Sequence, residues 1–288
     1  KDLIDIVRKL PEKTQIKFKI EENKVYLNAN KNTFELNTFN HLDFPALPKT
    51  QNTSIIKIKQ KTLKELIENT SFSMGNQDIR AYLNGLFFEL NKDSLTVVAT
   101  DGHRLSIGEV NQENSLEDKK TVILPRKAVL ELTKLLNKST QDIAEIHLSD
   151  NYFSLIDSNT KIISRLIDGN FPNYKQVIPK DSFNRSEVER ELLQECVTRA
   201  ALVSDDKVTF RVKSNELEIT GQSLLGDARE SMSIEYDGEN ATVSFNPRFL
   251  LDPLKSLTKD KVYFEFRDDM SPGVFRTDGP KDGDRSEE

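Results

Sequence analysis

The sequence is poor in the residues from which compact reactive centres are built. Its 288 residues include one cysteine, three histidines, three methionines, 11 glycines and no tryptophan. The lone Cys196 excludes a disulfide framework within the chain, fits a reducing compartment, and leaves no Cys-x-x-Cys pair for zinc. His41, His103 and His147 are widely separated in sequence and suggest no metal site. The string Gly-x-x-x-x-Gly-Lys of a phosphate loop and the string Gly-x-Ser-x-Gly of a nucleophile elbow are both missing. No apolar run approaches the length of a membrane span. The net charge of −6 argues against a uniformly basic nucleic-acid binder, though not against one that segregates its charges between faces.

What is present is a repeat. Phe44-Pro45 and Phe171-Pro172 lie 127 residues apart, and each is followed by a Pro-Lys pair, Pro48-Lys49 and Pro179-Lys180. Polar stretches follow, Thr50 to Ser54 and Asp181 to Ser186, and read as linkers. Upstream of each Phe-Pro pair, Lys1 to Leu10 and Lys127 to Leu136 both space their apolar residues as amphipathic helices. Ile16, Phe18 and Ile20 alternate with Lys17 and Lys19, the period of a half-buried strand.

A half-period repeat is nested inside. Helix patterns recur at Leu63 to Asn69, Val129 to Leu136, Val188 to Val197 and Phe249 to Leu257. Strand patterns fall between them at Leu86 to Leu90, Leu95 to Thr100, Val208 to Val212, Val243 to Phe245 and Val262 to Phe266, and the alternation Met232, Ile234, Tyr236 adds another. The expected fold class is α+β, with repeated units of a helix plus an antiparallel sheet. On this period, residues 1–50 are the second half of one domain, 51–181 a complete domain, and 182–279 a third that lacks its end. Residues 280–288 read as a polar, disordered tail.

The most distinctive string is Ala99-Thr100-Asp101-Gly102-His103-Arg104-Leu105. Asp-Gly after a strand predicts a tight hairpin whose two central residues take positive φ. Asp101, His103 and Ser106 invite a catalytic triad, but no nucleophile context accompanies them, and exposed hairpin residues are the simpler reading. Acid pairs such as Asp205-Asp206 and Asp268-Asp269 read as solvated loop charges. The helices carry a basic bias: Lys59, Lys61 and Lys64; Arg126, Lys127 and Lys134; Arg190 and Arg199; Arg248 and Lys255. On one helix this is an ordinary solvated face. Repeated on successive helices, with acidic residues mostly elsewhere, it could make one surface attractive to phosphates.

Taken in order, Ser73-Met74, Gln77-Asp78, Arg80, Tyr82-Leu83-Asn84-Gly85, Thr100 to Leu105, Leu124-Pro125-Arg126-Lys127, Phe171-Pro172-x-Tyr174, Ile178-Pro179-Lys180 and Ser271-Pro272-Gly273 resemble the bacterial sliding clamps, the beta subunits of DNA polymerase III. The likeness runs from Lys1 to about Gly279. It implies a DNA-clamp fold of three similar domains, with two subunits joined head to tail as a ring, helices inside and sheets outside. It further implies a cytoplasmic, nucleoid-associated protein that is not an enzyme and needs no cofactor. Such a ring encircles double-stranded DNA without sequence preference and tethers the replicative polymerase. Its other implied partners are the clamp loader and repair or other proteins carrying a clamp-binding motif.

The resemblance also assigns residues. A peptide-binding cleft would be formed by Leu83, Thr100, Gly102, His103, Arg104, Leu105, Pro172 and Val177, with Arg80, Tyr82 and Asn246 alongside. Phe249 stands where the family often has Tyr, and Gln176 where Arg is common. DNA would be met by Lys59, Lys64, Gln77, Arg80, Arg126, Lys127 and Lys134. The subunit contact would set Phe34 and Leu36 against Leu202 and Val203. The first half of domain one and the apolar C-terminal strand of the family have no counterpart here, which leaves ring closure and a stable dimer as the weaker expectations. Two other readings stay open: a clamp-like paralogue that binds partners without encircling DNA, and an unrelated α+β hydrolase.

Overall fold

The computed structural model describes residues 2–44, 46, 48, 53–113, 116, 118–157, 160–179, 184–224, 226–268 and 270–277. Two compact units are separated, 1–50 and 51–288.

In the first unit, helix α1 (Asp2–Lys9) precedes strands β1 (Ile16–Glu21), β2 (Lys24–Ala29) and β3 (Asn32–Asn37), which form an antiparallel sheet in the order β1-β2-β3. Leu27 and Ala29 of the central strand are buried, whereas Phe18 and Ile20 on β1 are exposed despite their strand alternation. Phe34 and Leu36 occupy the edge strand β3 and are half-buried.

The second unit begins with β4 (Ser54–Lys59), α2 (Gln60–Glu68), β5 (Gly85–Leu90), β6 (Ser94–Thr100) and β7 (Leu105–Asn111). The same pattern then repeats as β8 (Lys120–Pro125), α3 (Arg126–Leu136), β9 (Ile143–Leu148), β10 (Tyr152–Asp157) and β11 (Thr160–Arg165). The leading strands are exchanged. β4 joins the sheet β11-β10-β9-β4, and β8 joins β7-β6-β5-β8. Each half thus completes the sheet of the other. The buried stripes of α2 (Leu63, Leu66, Ile67) and α3 (Val129, Leu132, Leu136) close over both sheets in one core with Ile58, Phe88, Val97, Phe153 and Leu155. The order α1-β1-β2-β3 matches α3-β9-β10-β11, with Ile16 and Ile143 each opening its strand 127 residues apart.

The remaining chain repeats the plan. It contains β12 (Asn184–Glu189), α4 (Arg190–Ala201), β13 (Val208–Lys213), β14 (Glu216–Ser223), β15 (Gly226–Ser233), β16 (Ala241–Phe245), α5 (Pro247–Ser256), β17 (Lys261–Phe266) and β18 (Val274–Arg276). Here the sheets are β15-β14-β13-β16 and β12-β17-β18. A second core gathers Leu193, Val197, Phe210, Ile219, Leu250, Leu254 and Phe264.

Several sequence expectations are corrected. The helix predicted from Val188 starts at Arg190, and Val188 is instead a buried residue of β12. The expected linkers are partly strand. Ser54 opens β4, while Ser186 is buried in β12 and its hydroxyl donates to the Glu235 carbonyl at 3.2 Å. Hydrogen bonding that satisfies a polar side chain lets such residues occupy a sheet. Pro45, Lys49, Thr50 to Asn52, Lys180 to Phe183, Asp269 and the 280–288 tail lie outside the described residues.

Candidate partner cleft and helix faces

The β6–β7 connection is not the two-residue turn expected from Asp-Gly. Thr100 pairs with Leu105, so Asp101 to Arg104 form a four-residue loop. Gly102 has φ +90°, while Asp101 is not in the left-handed region. Asp101 closes the loop with its carboxylate. Its Oδ1 accepts from the backbone N–H groups of His103 at 2.9 Å and Arg104 at 3.1 Å, and its Oδ2 from Arg104 Nε at 3.1 Å. The Thr100 hydroxyl donates to the Arg104 carbonyl at 2.7 Å and accepts from the Gly102 N–H at 3.1 Å. Ser106 is hydrogen-bonded to Ser73 at 2.7 Å. Asp101 therefore holds backbone and guanidinium rather than an imidazole, and the residues suggestive of a triad are engaged as loop scaffold.

Arg104 is the hub. Beyond Asp101, its Nη1 donates to Asp252 Oδ2 of α5 at 2.6 Å and its Nη2 to the Phe72 carbonyl at 2.7 Å. Its guanidinium lies 4.9 Å from the Phe249 ring centroid and 5.6 Å from that of Phe72. His103 also stacks on Phe249, with centroids 6.3 Å apart and planes 21° apart. A planar, permanently charged group suits this combination of forked donation and ring stacking. The β4–β11 and β12–β18 segments thus meet at Arg104.

Next to this junction is a small apolar cluster separate from the two main cores. Phe87, Val98, Ile123 and Tyr174 are buried, with Tyr82, Leu105, Ile167, Phe171 and Ile178 packed against them. Phe171 stacks on Phe87 at 4.6 Å and 11°. Pro172, Gln176 and Val177 follow along the same segment and are exposed. Leu105 and Tyr82 remain partly accessible, whereas Leu83 and Thr100 are buried. Asn246 caps α5, its Oδ1 accepting from the Arg248 N–H at 2.9 Å. Arg80 is exposed and clamps Asp78 through Nε and Nη2, each at 2.9 Å. Those hydrogen bonds hold the Asp78 carboxyl down at about 2. The Arg80 guanidinium also lies against Gly102, where a Cβ would come within 3.1 Å of Nη2.

A cavity of ≈ 470 Å³ is lined by part of this segment. Its lining includes Pro172 but otherwise differs from the predicted cleft, drawing on Phe87, Glu89, Lys119, Arg165 and Lys175. Burial raises the pKa of Glu89, but hydrogen bonds from Lys119 and Lys175 outweigh it and leave the carboxyl below its ordinary value.

The helix faces differ from the charge segregation expected. Lys61 pairs with Glu65, Lys64 with Glu68 and Lys134 with Glu131. Arg199 meets Glu195 and Glu230. Acidic residues share these helices, so no purely basic stripe forms. Arg190 turns inward, donating to the Lys259 and Leu254 carbonyls. Arg126 is half-buried and donates to the Met74 carbonyl at 3.2 Å. Lys59 and Lys127 are exposed, as is Gln77, which sits at φ +59°. On α4, Leu202 at the C-cap is exposed and Val203 half-buried.

Sequence reasoning missed Asp252, Phe72, Asp78 and Phe87 as supports of the site. Asp78 was legible as a near neighbour of Arg80. Asp252 was not, because its partner Arg104 is 148 residues away.

Comparison with known proteins covers nearly the whole chain. Residues 1–48, 57–173 and 175–284 match the N-terminal, central and C-terminal domains of the DNA polymerase III beta subunit. The beta sliding clamp of Pseudomonas putida is 32% identical over 284 residues, spanning 97% of this chain and 77% of that protein. That of Escherichia coli is 34% identical over 271 residues, 93% and 74% of the two chains. The crystal structure of the Pseudomonas aeruginosa DNA polymerase III subunit beta superposes with a TM-score of 0.86 at 32% identity, covering 95% of this chain and 76% of that one. A sliding clamp from Bartonella birtlesii bound to griselimycin gives 0.88 at 30% identity, covering 97% and 77%. With this identity, coverage and fold, the chain belongs to the DNA polymerase III beta subunit family, the bacterial sliding clamps.

Proposed function

We propose that this protein is a DNA sliding clamp. It confers processivity on the replicative DNA polymerase by tethering it to duplex DNA in the bacterial cytoplasm. Its general partners are those of the family, namely DNA, polymerase and clamp loader, and it works by binding rather than by catalysis. In our reading, 1–50 is the second half of domain one, 51–181 is domain two and 182–279 is domain three. Two chains associate through Phe34 and Leu36 of one and Leu202 and Val203 of the other. The lysines of the helix faces meet the phosphate backbone without reading sequence.

The observation that most supports the reading is the junction at Arg104. It joins a partly accessible apolar cluster, bearing Leu105 and Tyr82, to α5 with Phe249. A mostly apolar groove with a few fixed polar groups suits a short peptide with hydrophobic side chains. Clamp-binding-motif proteins, repair enzymes among them, would share this cleft with the polymerase. The test is binding of a fluorescent peptide from a replicative polymerase to Leu105→Asp. A carboxylate in an apolar groove is costly without a partner, so affinity should fall at least tenfold while circular dichroism stays native. Unchanged affinity in the folded variant would remove the cleft from this reading.

A further inference from the structure

The charges on α2 run against what a helix needs for its own stability. Its N-terminal turns carry Lys61 and Lys64, and its C-terminal part carries Glu65 and Glu68. There is no acidic residue in the first turn and no basic one in the last. The macrodipole favours the reverse placement, and lysine before glutamate is the weaker order for an i,i+4 pair. Helix α3 likewise opens with Arg126 and Lys127 and has no acid in its first turn. Local helix stability therefore does not account for Lys61, Lys64, Arg126 and Lys127, whereas Lys134 sits in the last turn of α3, where the dipole favours it. Yet three of the lysines on these helices hold a glutamate: Lys61–Glu65 at 3.8 Å, Lys64–Glu68 at 3.9 Å and Lys134–Glu131 at 2.9 Å. Helix α2 carries two lysines and two glutamates and is electrically balanced.

We infer that Glu65, Glu68 and Glu131 keep the attachment to DNA weak and mobile by competing with phosphates for Lys61, Lys64 and Lys134. The inference rests on the proposed function, in which these helix faces meet duplex DNA. Exposed pairs of this kind contribute little energy and exchange readily. A phosphate can displace a glutamate from its lysine without disturbing the fold. The displaced carboxylate stays beside the phosphate and repels it, and it recaptures the lysine when the DNA moves on. Bare lysines on the same helices would accumulate phosphate contacts, each releasing counterions and deepening the grip. The glutamates thus set an upper limit on affinity, as a tether that must travel along its track requires.

The test compares two triple variants of the full chain that change net charge equally. One carries Glu65→Gln, Glu68→Gln and Glu131→Gln. The other carries Glu109→Gln, Glu145→Gln and Glu216→Gln, on strands β7, β9 and β14. Association with a short fluorescent duplex is followed by anisotropy across a salt titration. The helix variant should bind on the order of tenfold tighter at low salt, with a steeper salt dependence, while the strand variant stays near the parent. Equal tightening by both variants would reduce the effect to net charge and overturn the inference. So would no tightening by the helix variant. A parallel measurement on Lys64→Gln and Lys127→Gln tells the two readings apart. If these weaken binding while the helix glutamates have no effect, the competition is wrong but the DNA-facing role stands. If they leave binding unchanged, the DNA-facing role falls and the competition with it.

Discussion

Arg104 and Asp252 are joined by a 2.6 Å ion pair between the β6–β7 loop and helix α5. The guanidinium is largely buried and lies over the Phe249 ring on the same helix. One side chain thus sets the separation of the two walls of the proposed cleft. Asp252→Ala should leave a buried charge short of one partner and destabilise the protein by about 2 kcal/mol, less than a fully buried pair because Asp252 is partly exposed. Urea denaturation measures the loss. The same variant should bind a polymerase peptide more weakly though Asp252 is not a predicted peptide contact, and native stability together with native affinity would show that the pair is not a strut.

Two adjacent residues at the start of α3 should separate in their effects. Lys127 is exposed, whereas Arg126 donates to the Met74 carbonyl. Lys127→Glu should weaken DNA association and lower its salt slope by roughly one to two, with little change in melting temperature. Arg126→Glu should lower the melting temperature as well. A DNA effect confined to Arg126, measured by anisotropy against salt, would contradict the assignment of Lys127.

Gly102 is required for two reasons. Its φ of +90° disfavours any side chain, and a Cβ would press on the Arg80 guanidinium at 3.1 Å. Gly102→Ala should cost about 1–2 kcal/mol. It should also displace Arg80 from Asp78, seen as a changed Arg80 Nε resonance. An alanine variant as stable as the parent would mean that the loop relaxes freely.

The Asp78 carboxyl is held at about 2, against an ordinary 3.8, chiefly by side-chain and backbone hydrogen bonds with Arg80. A depressed folded-state pKa gives a contribution that is complete above the unfolded value and lost as pH falls through the folded one. The loop around Asp78 should therefore keep its order down to about pH 4 and lose it between there and about pH 2. In Arg80→Gln, the carbon NMR titration of Asp78 should move up toward 3.8. A midpoint that does not move would assign the shift to another group.

How far the sequence carried the reading depended on the distance over which each feature is encoded. The strands and helices were legible because β5, β6, β13 and β17 show their burial locally, in runs such as Leu95 to Thr100. The repeat placed α1 and α3 in register because it is a comparison of the chain with itself. The loop at Asp101-Gly102 was misjudged in length. The dipeptide specifies a turn, but the side-chain bonds from Asp101 and Thr100 extend it to four residues. The charge pattern was misread for a similar reason. Counting lysines along α2 ignored the glutamates one turn further on. The Arg104–Asp252 contact lies beyond local reasoning, since nothing near either residue names the other.

The exchanged strands β4 and β8 bear on how such a chain can be assembled. Because β4 pairs with β9 from Ser54 opposite Leu148 to Lys59 opposite Ile143, and β8 with β5 from Pro125 opposite Gly85 to Lys120 opposite Leu90, neither helix–sheet half owns a complete sheet. A fragment cut between β7 and β8 would carry one orphan strand and an unfilled gap, so the two halves should gain and lose structure together. Such far-reaching pairings make folding slow relative to chains of local hairpins. They also give the finished segment a mechanical property: Ser54 and the end of β11 lie on the two outer strands of one sheet, β11-β10-β9-β4, so tension applied there is carried across strands of both halves. For a tether that is pulled by whatever it holds, this interlocking of the halves resists stretching.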